Sequence, residues 1–283
     1  MLLCTLGDLL LDVVVRLGAP LEPGSDAPAR TSLSAGGQAA NVAAWAVALG
    51  AQARLVCRRG SGPSALLAEE GLRVRGVEVV GPQSEEEGGV VVSLVDASGD
   101  RTMASDRGAS PGLRATDIDP AWFTGAAVLH LSGYSLLREP IAGAARQAAL
   151  HARAAGARVS VDLAAAPLIA VHGAARFRDE LAALAPDVVF ATYDEERALG
   201  GPLAVETWVR KRGPEGCEVL HRGDWLVLPI VPGEVVDSTG AGDALAAGFL
   251  TGGDPTSALR AGLAAAARCV ATTGAMPPTV IGR

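Results

Sequence analysis

The chain of 283 residues contains a single lysine, Lys211, and no run of lysine and arginine. With a formal net charge of -7 it presents no basic surplus to neutralise a phosphate backbone, which excludes nucleic acid as a partner. Its four cysteines, Cys4, Cys57, Cys217 and Cys269, stand far apart with no Cys-x-x-Cys pair and no histidine at metal-ligand spacing, so free buried thiols are expected. The apolar N-terminus is interrupted by Asp8 and Asp12 and lacks a positive leader, a poor signal peptide. The longest apolar stretch, residues 39–51, falls short of the roughly 20 residues a membrane span needs. No membrane association and a cytoplasmic location are expected. Aromatic residues make up only 4% of the chain, leaving little surface on which a planar base would stack.

Hydrophobic residues, by contrast, amount to 49%, and the length suits one large domain. Short β-branched runs such as "AAVLHLSG", "RVSVDL" and "DVVFAT" alternate with alanine-rich segments such as 38–49, 140–155 and 241–252. That alternation predicts βα units around a mostly parallel sheet, whose ligands gather beyond the carboxyl ends of the strands. One segment breaks the rhythm. Residues 88–106 predict two strands joined by a turn at Ala97 to Asp100, and the proline-bearing region from Asp12 to Ser34 offers further strands. Together they read as a small sheet forming a lid, with an ordinary surface hairpin as the alternative.

The densest signal is "DSTGAGDALAAGFL", residues 237–250. The helix it opens is apolar almost all round and should be buried, yet its N-terminus must satisfy free amides. Ser238 or Thr239 offers a cap, while Gly240 and Gly242 strip side chains from the turn and leave amides open to an anion at the positive end of the helix dipole. A Walker turn would need Gly-Lys-Ser/Thr, and a dinucleotide fingerprint a third glycine where Leu245 stands. The same dipole should lower the pKa of Asp243.

The stretch Asp237-Ser238-Thr239-Gly240-Ala241-Gly242-Asp243 closely resembles the C-terminal signature, usually Asp-Thr-x-Gly-Ala-Gly-Asp, of the ribokinase-like (PfkB) family of carbohydrate and nucleoside kinases. The segment "GGQAANVAAWAVALG" resembles the family's N-terminal Gly-Gly-x-x-x-Asn, with Gly36, Gly37 and Asn41 in register. The resemblance implies a three-layer α/β/α domain spanning 1–283, with lid strands inserted at about 12–35 and 88–107. It implies Asp243 as the base that takes the acceptor hydroxyl's proton and Gly240, Ala241 and Gly242 as the anion hole.

Asp12, Gly36, Gly37, Asn41 and Gly108 would bind the acceptor. Thr192, Glu195, Gly213, Gly216 and Thr239 would bind ATP, and Glu195 would order Mg²⁺ through water. "ATYDEERALGG" departs from the family's Asn-x-x-Glu by carrying Thr192, "VSVDLAAAP" has Leu163 and Ala164 where many relatives have Pro-Asn, and Gly262 stands near a position where Asn often touches adenine. The activity implied is ATP-dependent phosphorylation of a small sugar or sugar derivative. A nucleoside kinase and a silent sugar-binding regulator are the alternatives. A monovalent cation is left open, and pairing of lid strands between subunits implies a homodimer.

Overall fold

The computed structural model describes residues 1–96 and 101–279. Its strands, numbered in chain order, are β1 (Leu2–Leu6), β2 (Leu10–Leu17), β3 (Ala29–Gly36), β4 (Gln52–Val56), β5 (Arg59–Ser61), β6 (Val77–Val80), β7 (Gln83–Val95), β8 (Arg101–Gly108), β9 (Ala126–Ser132), β10 (Arg158–Asp162), β11 (Val188–Thr192), β12 (Thr207–Lys211), β13 (Cys217–His221) and β14 (Asp224–Leu228). The helices are α1 (Gln38–Ala48), α2 (Gly62–Arg73), α3 (Ile141–Ala154), α4 (Ala166–His172), α5 (Ala174–Leu184), α6 (Tyr193–Leu199), α7 (Ala241–Thr251) and α8 (Pro255–Val270).

Nine strands form the central sheet in the order β14-β13-β12-β11-β10-β9-β1-β4-β6. From β12 to β6 every pairing is parallel, and only the β12–β13 and β13–β14 pairings at one edge are antiparallel, so that β13 alone runs against the rest. Strands of a sheet covered on both faces must be apolar on both, and β11 shows how the sequence meets that demand. Its Val188 and Phe190 enter one core with α1, α7 and α8, while Val189 and Ala191 enter a second core with α3 and α5. Phe190 meets Phe249 of α7 edge-on, with ring centroids 5.5 Å apart. The result is a ribokinase-like three-layer α/β/α fold. The four cysteines are free and buried.

A second, smaller sheet stands apart, in the order β3-β2-β7-β5 with β8 also paired to β7. Its β7 and β8 are the antiparallel pair expected from residues 88–106, and β2 and β3 arise from the proline-bearing region. The turn expected at Ala97 to Asp100 lies outside the described residues. β7 begins five residues earlier than the sequence pattern suggested, because Gln83 to Glu87 pair with the three-residue β5. Among the described residues no helix is long and apolar enough to cross a membrane.

Candidate active site

Because β1, β9, β10, β11 and β12 run in the same direction, their carboxyl ends share one edge of the sheet. That edge carries Asp8, Ser132, Asp162, Thr192 and Lys211, and α7 starts above it.

Gly240 is the N-cap of α7 and adopts φ +77°, and a Cβ there would sit 2.6 Å from the Ala275 backbone, so both conformation and space require glycine. No side chain caps the helix. Thr239, expected as a possible cap, instead donates its hydroxyl and its amide to Asp237 Oδ1, at 2.7 and 2.8 Å. Asp237 Oδ2 accepts from the amide of Gly274, at 2.9 Å, and Arg101 of the small sheet completes the shell around Oδ1. The turn is thus held from behind by a buried carboxylate, and the first-turn amides of α7 remain without intrahelical acceptors.

Asp243 is half-buried, and its Oδ2 accepts 2.7 Å from Asn41 Nδ2, joining the two glycine-rich motifs across 202 residues of chain. Asn41 is buried and its Oδ1 has no partner among the described residues. The helix dipole was expected to lower the pKa of Asp243. Burial overrides it and, with Asp162 and Asp12 nearby, lifts the group to about 7 against the pull of Asn41 and Lys211. Asp12 is likewise lifted by burial to about 7. Its carboxylate lies against the backbone of Gly36, where a Cβ would fall 2.2 Å from Asp12 Cγ, so only glycine admits this approach. Gly37 is the N-cap of α1, which presents Asn41. Gly108 lies against the β7 backbone, 2.4 Å from the Glu87 carbonyl oxygen to a Cβ placed there, and so serves the packing of the small sheet.

On the other side of the turn an apolar cavity of about 260 Å³ is lined by Gly213, Gly216, Ser238, Gly242 and, from α8, Leu263 and Ala267. Gly262 does not line it but lets α8 approach the Leu245 carbonyl of α7. Thr239 borders instead a narrow gap of about 20 Å³ beneath the small sheet, together with Asp12, Ser34 and Arg101. A polar cavity of about 550 Å³ adjoins at Thr192, Arg212 and Glu218.

Thr192 and Glu195 form a capping box on α6. Glu195 Oε2 accepts from the Thr192 amide at 2.7 Å, and Thr192 Oγ1 accepts from the Glu195 amide at 3.2 Å. Glu195 is buried, which pushes its carboxyl up, while Lys211 opposes. The Thr-x-x-Glu spacing of a capping box is the sequence signal for this arrangement. Lys211, the chain's single lysine, donates from Nζ to both oxygens of Asp162, at 2.8 and 2.7 Å, and lies 3.9 Å from Glu195 Oε2. Trp45, the aromatic residue nearest the acceptor motif in sequence, is wholly buried and donates to the Ala275 carbonyl at 2.8 Å.

The two glycine-rich motifs thus face each other across the half-buried Asp243, next to an apolar cavity. The model of the pfkB family of carbohydrate kinases matches residues 2–281. An ATP-dependent ribose-1-phosphate kinase of Halopiger xanaduensis is 32% identical over 263 residues, covering 88% of this chain and 84% of that protein. A fructokinase of Escherichia coli is 32% identical over 242 residues, covering 77% and 76%. Among solved structures, adenosine kinase from Sinorhizobium meliloti superposes with a TM-score of 0.85 at 23% identity, over 97% of this chain and 95% of that one. The chain belongs to the pfkB family of carbohydrate kinases and is an ATP-dependent phosphotransferase acting on a sugar or sugar derivative.

Proposed function

We propose that the acceptor hydroxyl of a small sugar or sugar derivative is gripped by Asp12, Asn41 and the Gly36-Gly37 backbone, and that Asp243 takes its proton. The observation that carries this reading is the 2.7 Å contact between Asn41 and Asp243 at the mouth of the glycine turn. A carboxylate raised to about 7 is a stronger base than an ordinary aspartate and is still substantially ionised at neutral pH. Asn41 holds Oδ2 and thereby orients the carboxylate.

As the acceptor oxygen bonds to the γ-phosphorus, the bond to the β-γ bridging oxygen breaks, and the proton passes to Asp243. The amides of Gly242 and Asp243 and the α7 dipole face the charge that spreads over the transferring group. The apolar cavity suits the adenine and the edge of the polar cavity the phosphates. Mg²⁺ fits as an ion carried on the nucleotide, because Glu195 supplies a hard oxygen and the neighbouring carboxylate Asp162 is committed to Lys211. When bound, Mg²⁺ would neutralise phosphate charge, with Glu195 reaching it through water.

The small sheet would act as the lid, closing on the acceptor and excluding water. Its outer face carries Val13, Val15, Leu33, Val92 and Leu94, the register partners pointing away from Asp12 and Val91, and Leu33 is 56% exposed. That apolar face supports a homodimer through the lid. A supply of ATP places the enzyme in the cytoplasm. The nucleoside alternative is weakened by the burial of Trp45, the aromatic residue nearest Asn41 in sequence, which leaves it no free face for a base.

ADP release from MgATP should be measured against neutral sugars, sugar acids, sugar phosphates and nucleosides, with Asp243→Asn alongside. Turnover with one sugar class that the variant lacks is expected. Ligand binding without acceptor-dependent ADP release in the wild type would overturn the reading in favour of a silent regulator.

A further inference from the structure

The chain's single lysine stands two residues before Gly213, one of the glycines expected to bind ATP. Lys211 ends β12, and its side chain is 13% exposed. It lines both the apolar and the polar cavity. Its Nζ rests on both oxygens of Asp162, 3.9 Å from Glu195, and a Cβ built on Gly242 would lie 3.7 Å from it. A buried ammonium surrounded by Asp162, Glu195 and Asp243 stays charged, since these carboxylates outweigh the cost of burial. A phosphate chain running from the apolar cavity to Asp243 must cross Gly242, and so must pass this ammonium.

We propose that Lys211 is a phosphate-binding residue of the donor site, contacting the phosphate oxygens of a nucleoside di- or triphosphate, and that Asp162 is the positioning residue on which it rests when no nucleotide is bound. This rests on the reading of the apolar cavity as the nucleotide site. It assigns to a strand end the cation that a Walker turn carries within its own loop. The ammonium has three donors, so it keeps a bond to Asp162 while offering another to phosphate. Arginine, with a planar fork, reproduces the charge but not the geometry.

One lysine in the chain makes a direct test practicable. In full-length protein carrying ¹⁵N-labelled lysine, the Lys211 ammonium gives a single side-chain resonance. MgATP and MgADP are expected to shift it, and adenosine, which has no phosphate, to leave it in place. In parallel calorimetric titrations, Lys211→Met should weaken MgATP binding by roughly 10- to 100-fold, the worth of a charge-assisted hydrogen bond, and leave adenosine affinity unchanged. Lys211→Arg should restore part of the loss.

Removing the lysine alone strands a buried carboxylate, so the double variant Lys211→Met/Asp162→Asn keeps the site neutral, with adenosine binding reporting that the cavity is intact. MgATP that binds the wild type without moving the ammonium resonance, or binds the double variant as tightly as the wild type, overturns the assignment. Failure of the wild type to bind either MgATP or adenosine overturns instead the nucleotide reading beneath it.

Discussion

The proposed donor and acceptor halves of the site differ in how they hold charge. In the donor half every buried charge has a partner: Lys211 sits on Asp162, Glu195 closes a capping box, and Asp237 accepts from two amides, a hydroxyl and Arg101. In the acceptor half Arg107 neutralises Asp8, with bonds of 2.6 and 2.7 Å, but among the described residues Asp12 has no cation paired with it and Asp243 is hydrogen-bonded only by the amide of Asn41. Paired charges hold a shape, whereas unpaired carboxylates are costly in the empty protein and become useful when a hydroxyl arrives. The donor half is therefore preformed, and the acceptor half is completed by its ligand.

The largest effect expected from breaking this division is at Asp243. Asp243→Asn keeps the shape and loses the base, so kcat should fall by roughly 10²- to 10⁴-fold with little change in MgATP binding, measured by ADP release and calorimetry. An unchanged kcat would remove Asp243 from the proton's path. Asp12→Asn should act on the acceptor instead. Its KM should rise about 10-fold or more, as a hydrogen bond to a charged group is lost, while the KM for MgATP stays put.

The same two carboxylates set opposite responses to pH. Both have folded values of about 7 against an ordinary 3.8. The folded state therefore binds their protons more tightly than the unfolded chain. The stability they contribute is fully present below about pH 4 and is lost as pH rises through 7. With Asp243 as the proposed base, activity should rise over the upper part of that window as the carboxyl ionises. Thermal unfolding of the unliganded enzyme should show a lower Tm at pH 8 than at pH 6, and Asp12→Asn should raise the Tm at pH 8 and flatten the difference. A variant equally pH-sensitive would show that Asp12 is not the source.

Much of the main sheet and half of the site could be read from the residues. The runs at β9, β10 and β11 announced buried parallel strands, and residues 237–243 with Gly36, Gly37 and Asn41 marked two ends of one site. What stayed hidden depended on distance along the chain. β12, "TWVRK", is too polar at its end to read as a strand, because Arg210 and Lys211 are matched by Glu196, Glu218 and Asp162 only after folding. The raised pKa of Asp243 is hidden for the same reason. A helix dipole is visible in sequence, but the burial that overrides it is created by β10, α1 and the small sheet. Gly108 and Gly262 carry no sign of whether a glycine serves a ligand or a neighbouring backbone.

The smallest effect concerns strain beside the donor half. Ala164 has φ +66°, a left-handed conformation that costs an ordinary residue about 1–2 kcal/mol, and its amide donates to Asp162 Oδ1 at 3.1 Å. Asparagine tolerates that conformation through local hydrogen bonding of its short polar side chain. Ala164→Asn should therefore stabilise the protein by about 1 kcal/mol, raising the Tm by about 2 °C. The kinetic outcome then sharpens the comparison of the two halves. With an unchanged KM for MgATP, the strain is a cost of the chain's turn after β10 and nothing more. A raised KM would mean that the strained amide holds Asp162 in place for Lys211, and that the donor half is preformed at the expense of its own backbone.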